Sequence, residues 1–216
     1  MHIEWLGHSA FLLTSDKGTK ILTDPYESGG FGGAVRYRPI TEACDAVTVS
    51  HNHADHNYTK GLAGTPKVLK GKTDVRVKEA RITSFASFHD DRQGLLRGEN
   101  WIFLFEVDGM RLAHLGDLGG PPPAEAQRAL KDIDVLMVPV GGNFTLDAAQ
   151  ALAVIRQAGA RLSLPMHFKT PQLDFDIAGV DALTRLAPGT RVLDASFLSF
   201  SKETLPSGII ALAPSH

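Results

Sequence analysis

The segment Ser50-His51-Asn52-His53-Ala54-Asp55-His56-Asn57 constrains this chain more than any other, because it sets four potential metal ligands within six positions. Residues 46–49, Ala-Val-Thr-Val, have the apolar, β-branched character of a buried strand, so the cluster leaves a strand end and turns. Alternate side chains of an extended segment point the same way. His51 and His53 can therefore grip one cation, and a turn beginning at Ala54 lets Asp55 and His56 face a second. A polar loop of capping residues is the plain alternative, and the density of imidazoles argues against it.

One loop cannot complete two coordination shells, so further His or Asp residues are required at other strand ends. His89 follows the apolar run 85–88, Asp117 follows a strand expected at 111–115 through Gly116, and His167 follows one expected at 161–164 through Pro165. Singly, Asp117 is equally a turn residue, and His89 or His167 a hydrogen-bonded structural histidine. Beside the cluster at His51 they become candidate ligands.

The first half of the chain predicts short strands at residues 3–6, 10–13, 20–23, 46–49, 67–69, 75–77, 81–86, 101–107 and 111–115, with Asp108-Gly109 as a two-residue hairpin turn. After Pro121-Pro122-Pro123 helices alternate with strands: helices at 124–130, 147–157 and 180–186, strands at 135–138, 161–164 and 191–193. No linker or repeat divides these halves. The expected architecture is two stacked sheets flanked by helices, with residues 1–216 forming a single domain. Four glycines surround Phe31, so residues 26–39 are expected to be a mobile surface loop able to act as a lid.

The order His51, His53, Asp55, His56, His89, Asp117, His167 resembles the ligand signature of the metallo-β-lactamase fold superfamily. The resemblance spans nearly the whole chain, from Trp5-Leu6-Gly7-His8-Ser9 and Thr23-Asp24-Pro25 through Leu115-Gly116-Asp117 to Pro165-Met166-His167. Gly141-Gly142-Asn143-Phe144-Thr145 fits the compact branch of predicted zinc-dependent hydrolases related to L-ascorbate-6-phosphate lactonases. The resemblance implies a four-layer αββα sandwich, two mixed sheets flanked by helices, with metals at one edge between the sheets. By position, His51, His53 and His89 would hold a first metal, Asp55, His56 and His167 a second, and Asp117 would bridge them. Asp24 would support the cluster from behind, although a turn aspartate before Pro25 is an equal reading.

Two divalent ions sharing a water can supply hydroxide at neutral pH and polarise the electrophile, so the implied reaction is hydrolysis of an ester, lactone, amide or phosphodiester in a small metabolite. Asp55 and Asp117 are the candidate catalytic carboxylates, with Asp55 both binding metal and orienting the nucleophile. His8 is a candidate substrate contact or proton donor, Asn143 a candidate pocket contact, Asp90 a candidate partner of a ligand, and His114 a buried core or supporting histidine. Histidine and carboxylate ligands without cysteine suit zinc first, then manganese or iron.

A net charge of −2 offers no field for a phosphate backbone, which disfavours a nuclease or phosphodiesterase. Redox relatives with two irons typically carry an acidic residue where His53 stands. A metal-binding protein without turnover is the remaining rival class. The single cysteine, Cys44, and the lack of a basic or long apolar start suggest a cytoplasmic protein with no membrane span, acting alone or as a homo-oligomer.

Overall fold

The computed structural model describes all residues from Met1 to His216. Its first sheet is built from β1 (His2–Gly7), β2 (Ala10–Thr14), β3 (Lys20–Thr23), β4 (Ala46–Val49), β5 (Lys67–Lys70) and the late strand β13 (Phe197–Ser199). Between β3 and β4 lies one irregular turn, α1 (Gly30–Gly33). The second sheet contains β6 (Asp74–Val77), β7 (Ala80–Phe88), β8 (Glu99–Val107), β9 (Met110–His114), β10 (Val135–Pro139), β11 (Leu162–Met166), β12 (Arg191–Val192) and β14 (Gly208–Ala211). Helices α2 (Ala124–Leu130), α3 (Ala148–Ala158) and α4 (Asp181–Leu186) complete the chain.

Both sheets are mixed. The strand orders are β13-β1-β2-β3-β4-β5 and β12-β14-β11-β10-β9-β8-β7-β6. Antiparallel hairpins form where turns are short: Asp108 and Gly109 both take positive φ (52° and 69°), as a two-residue hairpin turn requires, and Val107 pairs with Met110. Parallel strands β4, β10 and β11 are buried along their whole length, which is why they read as largely apolar runs, broken only by Thr48 and Ser163.

The apposed sheet faces and the helix side of the second sheet share one cluster of 45 buried residues, with Trp5, Phe11, Phe103 and Phe105 among its largest fully buried members. A smaller cluster of 11 buried residues covers the outer face of the first sheet, where Tyr26, Val35, Tyr37 and Leu173 pack on Leu6, Leu12, Leu22 and Val47. Two mixed sheets stacked on a shared core, with helices beside the second, agree with the sandwich that the resemblance implies.

α3 begins and ends as its sequence specifies. Asp147 accepts from the Gln150 backbone at 2.8 Å while the Gln150 side chain accepts from the Asp147 backbone at 3.0 Å, and Gly159 closes the helix at φ 61°. Two expectations need correction. The C-terminal strands β13 and β14 were not expected. Residues 26–39 are not one loose loop, because Tyr26 and Tyr37 are fully buried anchors: the Tyr26 hydroxyl reaches Leu6 O (3.2 Å) and Arg38 O (3.0 Å), and the Tyr37 hydroxyl lies 2.7 Å from Thr170 Oγ1. The tip from Phe31 to Gly33 stands exposed, as do Glu27, Arg36, Arg38 and Pro39 between and beyond the anchors.

Candidate metal centre

Every candidate ligand lies just beyond a strand end, so one edge of the sandwich collects them: the 51–56 segment after β4, His89 after β7, Asp117 after β9 and His167 after β11. The ligand atoms of His51, His53 and His89 lie within 4.8 Å of one another, and so do those of His8, Asp55, His56 and His167. Asp117 stands between the two groups. Its Oδ2 is 3.2 Å from His89 Nε2 and 3.7 Å from His51 Nε2 on one side, and 3.2 Å from both His56 Nε2 and His167 Nε2 on the other.

The surrounding structure fixes three of the rings. His56 Nδ1 lies 2.9 Å from Asp24 Oδ2, and Asp24 Oδ1 accepts the Ser50 N–H at 2.8 Å, both carboxylate and imidazole being fully buried. Ser50 Oγ, itself bonded to Asp24, lies 2.9 Å from His51 Nδ1. His89 Nδ1 donates to Phe144 O at 3.1 Å. These contacts leave the Nε2 atoms of all three rings facing Asp117, the arrangement that partners behind a ligand impose. Asp117 is positioned through Asn100, whose Oδ1 accepts its N–H at 2.9 Å while Asn100 Nδ2 donates to Leu115 O and Ser87 Oγ. Gly116 takes φ +57° in this turn, and a Cβ there would collide with Asn100 Oδ1 and lie 2.5 Å from Ser50 Cβ.

Burial and mutual charge set the protonation states. Burial, with the neighbouring His56, lowers His51 to about 3, and burial, with the neighbouring His167, lowers His8 to about 4. Burial and His89 lower His53 as well. These imidazoles are neutral at pH 7, with lone pairs available. Burial disfavours charge on His56, but Asp117 and Asp55 override it and raise its pKa well above the usual value. Burial likewise opposes ionisation of Asp117 and Asp55, yet the surrounding histidines, His167 and His56 for Asp117 and His56 for Asp55, hold both carboxyls far below the usual range.

Divalent cations fit this donor set. Asp55 Oδ1, Asp117 Oδ1 and His56 Nε2 are buried with no hydrogen-bond partner, although His56 Nε2 is only 3.2 Å from Asp117 Oδ2. Polar atoms that converge without bonding one another are costly unless a shared partner satisfies them.

His8, at φ +51° in the β1–β2 turn, joins the second group directly, with Nε2 3.0 Å from Asp55 Oδ2. Asn143 is not brought to the centre: it is exposed, and its Nδ2 donates to Asp176 O at 2.8 Å. Asp90 touches no candidate ligand side chain either. It accepts the N–H groups of Arg92, Gly94, Leu96 and Arg97 at 2.8–2.9 Å, and so shapes the 92–97 loop. His114 is buried beneath the site, Nε2 2.8 Å from Ser9 O, and is no part of either group.

A cavity of about 400 Å³ opens onto His53, Asp55, His89, Asp117 and His167, with Phe31, Phe144 and Phe175 as its apolar wall and Arg97 at its side. Asn100, Arg97 and Phe175 escaped the reading of the sequence. Asn100 alone carried a signal, a polar residue opening the apolar run 100–105.

A family model described as the β-lactamase superfamily domain matches residues 2–167. The chain belongs to this superfamily. A UPF0173 metal-dependent hydrolase from Carboxydothermus hydrogenoformans is 29% identical over 197 residues, covering 79% of this chain and 85% of that protein. A UPF0173 protein from Pyrococcus furiosus is 32% identical over 195 residues, covering 79% and 84%. The crystal structure of a Thermotoga maritima member of the metallo-β-lactamase superfamily superposes with a TM-score of 0.81 at 28% identity, covering 98% of this chain and 97% of that one.

Proposed function

We propose that the chain is a metal-dependent hydrolase that binds two divalent cations, zinc first among them, and cleaves an ester, lactone, amide or phosphodiester bond in a small metabolite. The observation that carries this reading is the position of Asp117 Oδ2 within 3.2–3.7 Å of four imidazole nitrogens drawn from both ligand groups. His51, His53 and His89 would hold one cation, Asp55, His56 and His167 the other, with Asp117 between them. Cations so held would acidify a water molecule and polarise the substrate's electrophilic oxygen.

The protein's own groups orient and exclude. Asp55 is the carboxylate best placed to direct a nucleophile, because His8 fixes one of its oxygens at 3.0 Å while the other has no protein partner. Asp24, Ser50 and the Phe144 carbonyl hold His56, His51 and His89 in single orientations. The three phenyl rings offer a dry surface for an apolar substrate portion beside the cluster. Such a cavity suits a small molecule better than a nucleic acid, which a net charge of −2 also disfavours. No helix is long and apolar enough to cross a membrane. The lone, partly buried Cys44 accords with a cytoplasmic location.

Turnover of a panel of esters, lactones, amides and phosphodiesters by metal-replete protein tests the reading. Activity on at least one class, lost on chelation and restored by zinc, manganese or iron, is expected. Metal-replete protein that turns over none of them contradicts it.

A further inference from the structure

The 92–97 loop is built with unusual care for a surface segment. The Asp90 carboxylate gathers four of its N–H groups, Gly98 N–H donates to Gly94 O at 3.0 Å, and Gly98 O accepts His89 N–H at 3.1 Å. Burial opposes ionisation of Asp90, but the N–H donors, those of Arg97 and Leu96 foremost, bring its carboxyl down to about 2. The residue this scaffold delivers is Arg97. Its side chain borders the Phe-walled cavity over the metal centre, and also a second cavity of about 400 Å³ beyond His51 and His53.

Arg36, Arg81 and Arg185 pair with acidic side chains; the Arg97 guanidinium, like those of the other arginines, pairs with none. It rests 5.5 Å from the centroid of Phe144, within reach of a cation–π contact, and Phe144 O in turn holds His89. The second cavity is also lined by Lys70 and Glu99. In the first, Arg97 is the only lysine or arginine of the lining, and both carboxylates there, Asp55 and Asp117, turn toward the histidines. A planar guanidinium with a free edge, beside three phenyl rings, is complementary to a carboxylate carried on an apolar body. A phosphate dianion would call for several converging donors, and here there is one guanidinium.

We propose, on the reading of the cluster as a hydrolytic centre, that Arg97 is a specificity-determining residue: it selects substrates whose apolar body packs on Phe31, Phe144 and Phe175 and whose carboxylate docks on its guanidinium. The substrate class is then a carboxylate-bearing ester, lactone or amide.

Two measurements on metal-replete protein test this. The first is the ratio of kcat/KM for a half-ester of glutaric acid to that for the isosteric neutral ester with the same leaving group. Arg97→Ala should lower that ratio about 10- to 100-fold, as loss of a charge-assisted hydrogen bond predicts, and Arg97→Lys should lower it less. The second is calorimetric binding of glutarate and of glycerol 3-phosphate, which needs no turnover, with metal content and Tm confirming that each variant is folded. Glutarate binding weakened about tenfold or more in Arg97→Ala supports the inference even if no ester is cleaved, in which case the hydrolase reading alone fails. Equal glutarate binding by wild type and Arg97→Ala, or an unchanged kcat/KM ratio, overturns it. Arg97-dependent binding of glycerol 3-phosphate stronger than that of glutarate replaces the carboxylate with a phosphate and overturns the stated class.

Discussion

Asp24 and His56 form a fully buried pair, Oδ2 2.9 Å from Nδ1, beneath the floor of the metal centre. The pair sets which nitrogen of His56 faces outward, because a ring that donates Nδ1–H to a carboxylate presents Nε2 as the lone-pair atom. An amide at position 24 keeps the shape but disturbs that proton arrangement. Asp24→Asn is therefore expected to weaken metal binding about 10- to 100-fold, measured by competition with a chromophoric chelator. Metal affinity equal to wild type would show that the pair serves the fold alone.

The turn that carries Asp117 has no room for a side chain at Gly116, where φ is +57° and Asn100 and Ser50 close on the missing Cβ. Gly116→Ala should destabilise the protein by about 1–3 kcal/mol or more in denaturant unfolding, since backbone strain and overpacking act together. Metal content should fall with it, because Asp117 N–H is tied to Asn100.

Asp90 links pH to the order of the Arg97 loop. Its folded carboxyl is depressed to about 2, against roughly 3.9 for an unperturbed aspartate, so its contribution is fully present above the unfolded value and is lost as pH falls through the folded one. The stability difference between wild type and Asp90→Asn should be constant from pH 7 to 5 and shrink between about pH 4 and 2. Paired unfolding curves across that range check it. A difference that grows on acidification would reverse the sign and refute this role.

Asp147 caps α3 in a reciprocal arrangement with Gln150. Asp147→Ala should lower stability by about 0.5–2 kcal/mol in chemical denaturation while leaving metal content at the wild-type level. A cost within error of zero would mean that solvent replaces the cap.

Much of this fold was legible because local pattern and tertiary role coincide. The runs at β4, β10 and β11 are buried throughout and largely apolar, and the 51–56 segment and His167 follow two of them directly, so strand ends and candidate ligands could be located together. β13 and β14 were missed for the opposite reason: Phe197–Ser199 and Gly208–Ala211 are short, and their place is decided by pairing with β1 and with β11 and β12, far away in sequence. Tyr26 and Tyr37 were lost among glycines, whose signal of irregularity was correct but silent about anchoring. Arg97 and Phe175 gave no local sign, because a cavity wall assembled from separate loops has no periodicity. Asn143 misled because a residue beside glycines suggests close approach to a ligand, whereas its left-handed backbone (φ 58°) and its bond to Asp176 O serve the turn itself.

The central claim is that two cations share the Asp117 carboxylate, and elemental analysis of metal per chain in wild type, Asp117→Ala and His53→Ala tests it most directly. About two metals in the wild type and a clear fall in both variants is the predicted result. A wild-type protein that purifies without metal and takes up no added zinc, manganese or iron would contradict the account and leave the histidine cluster a structural feature.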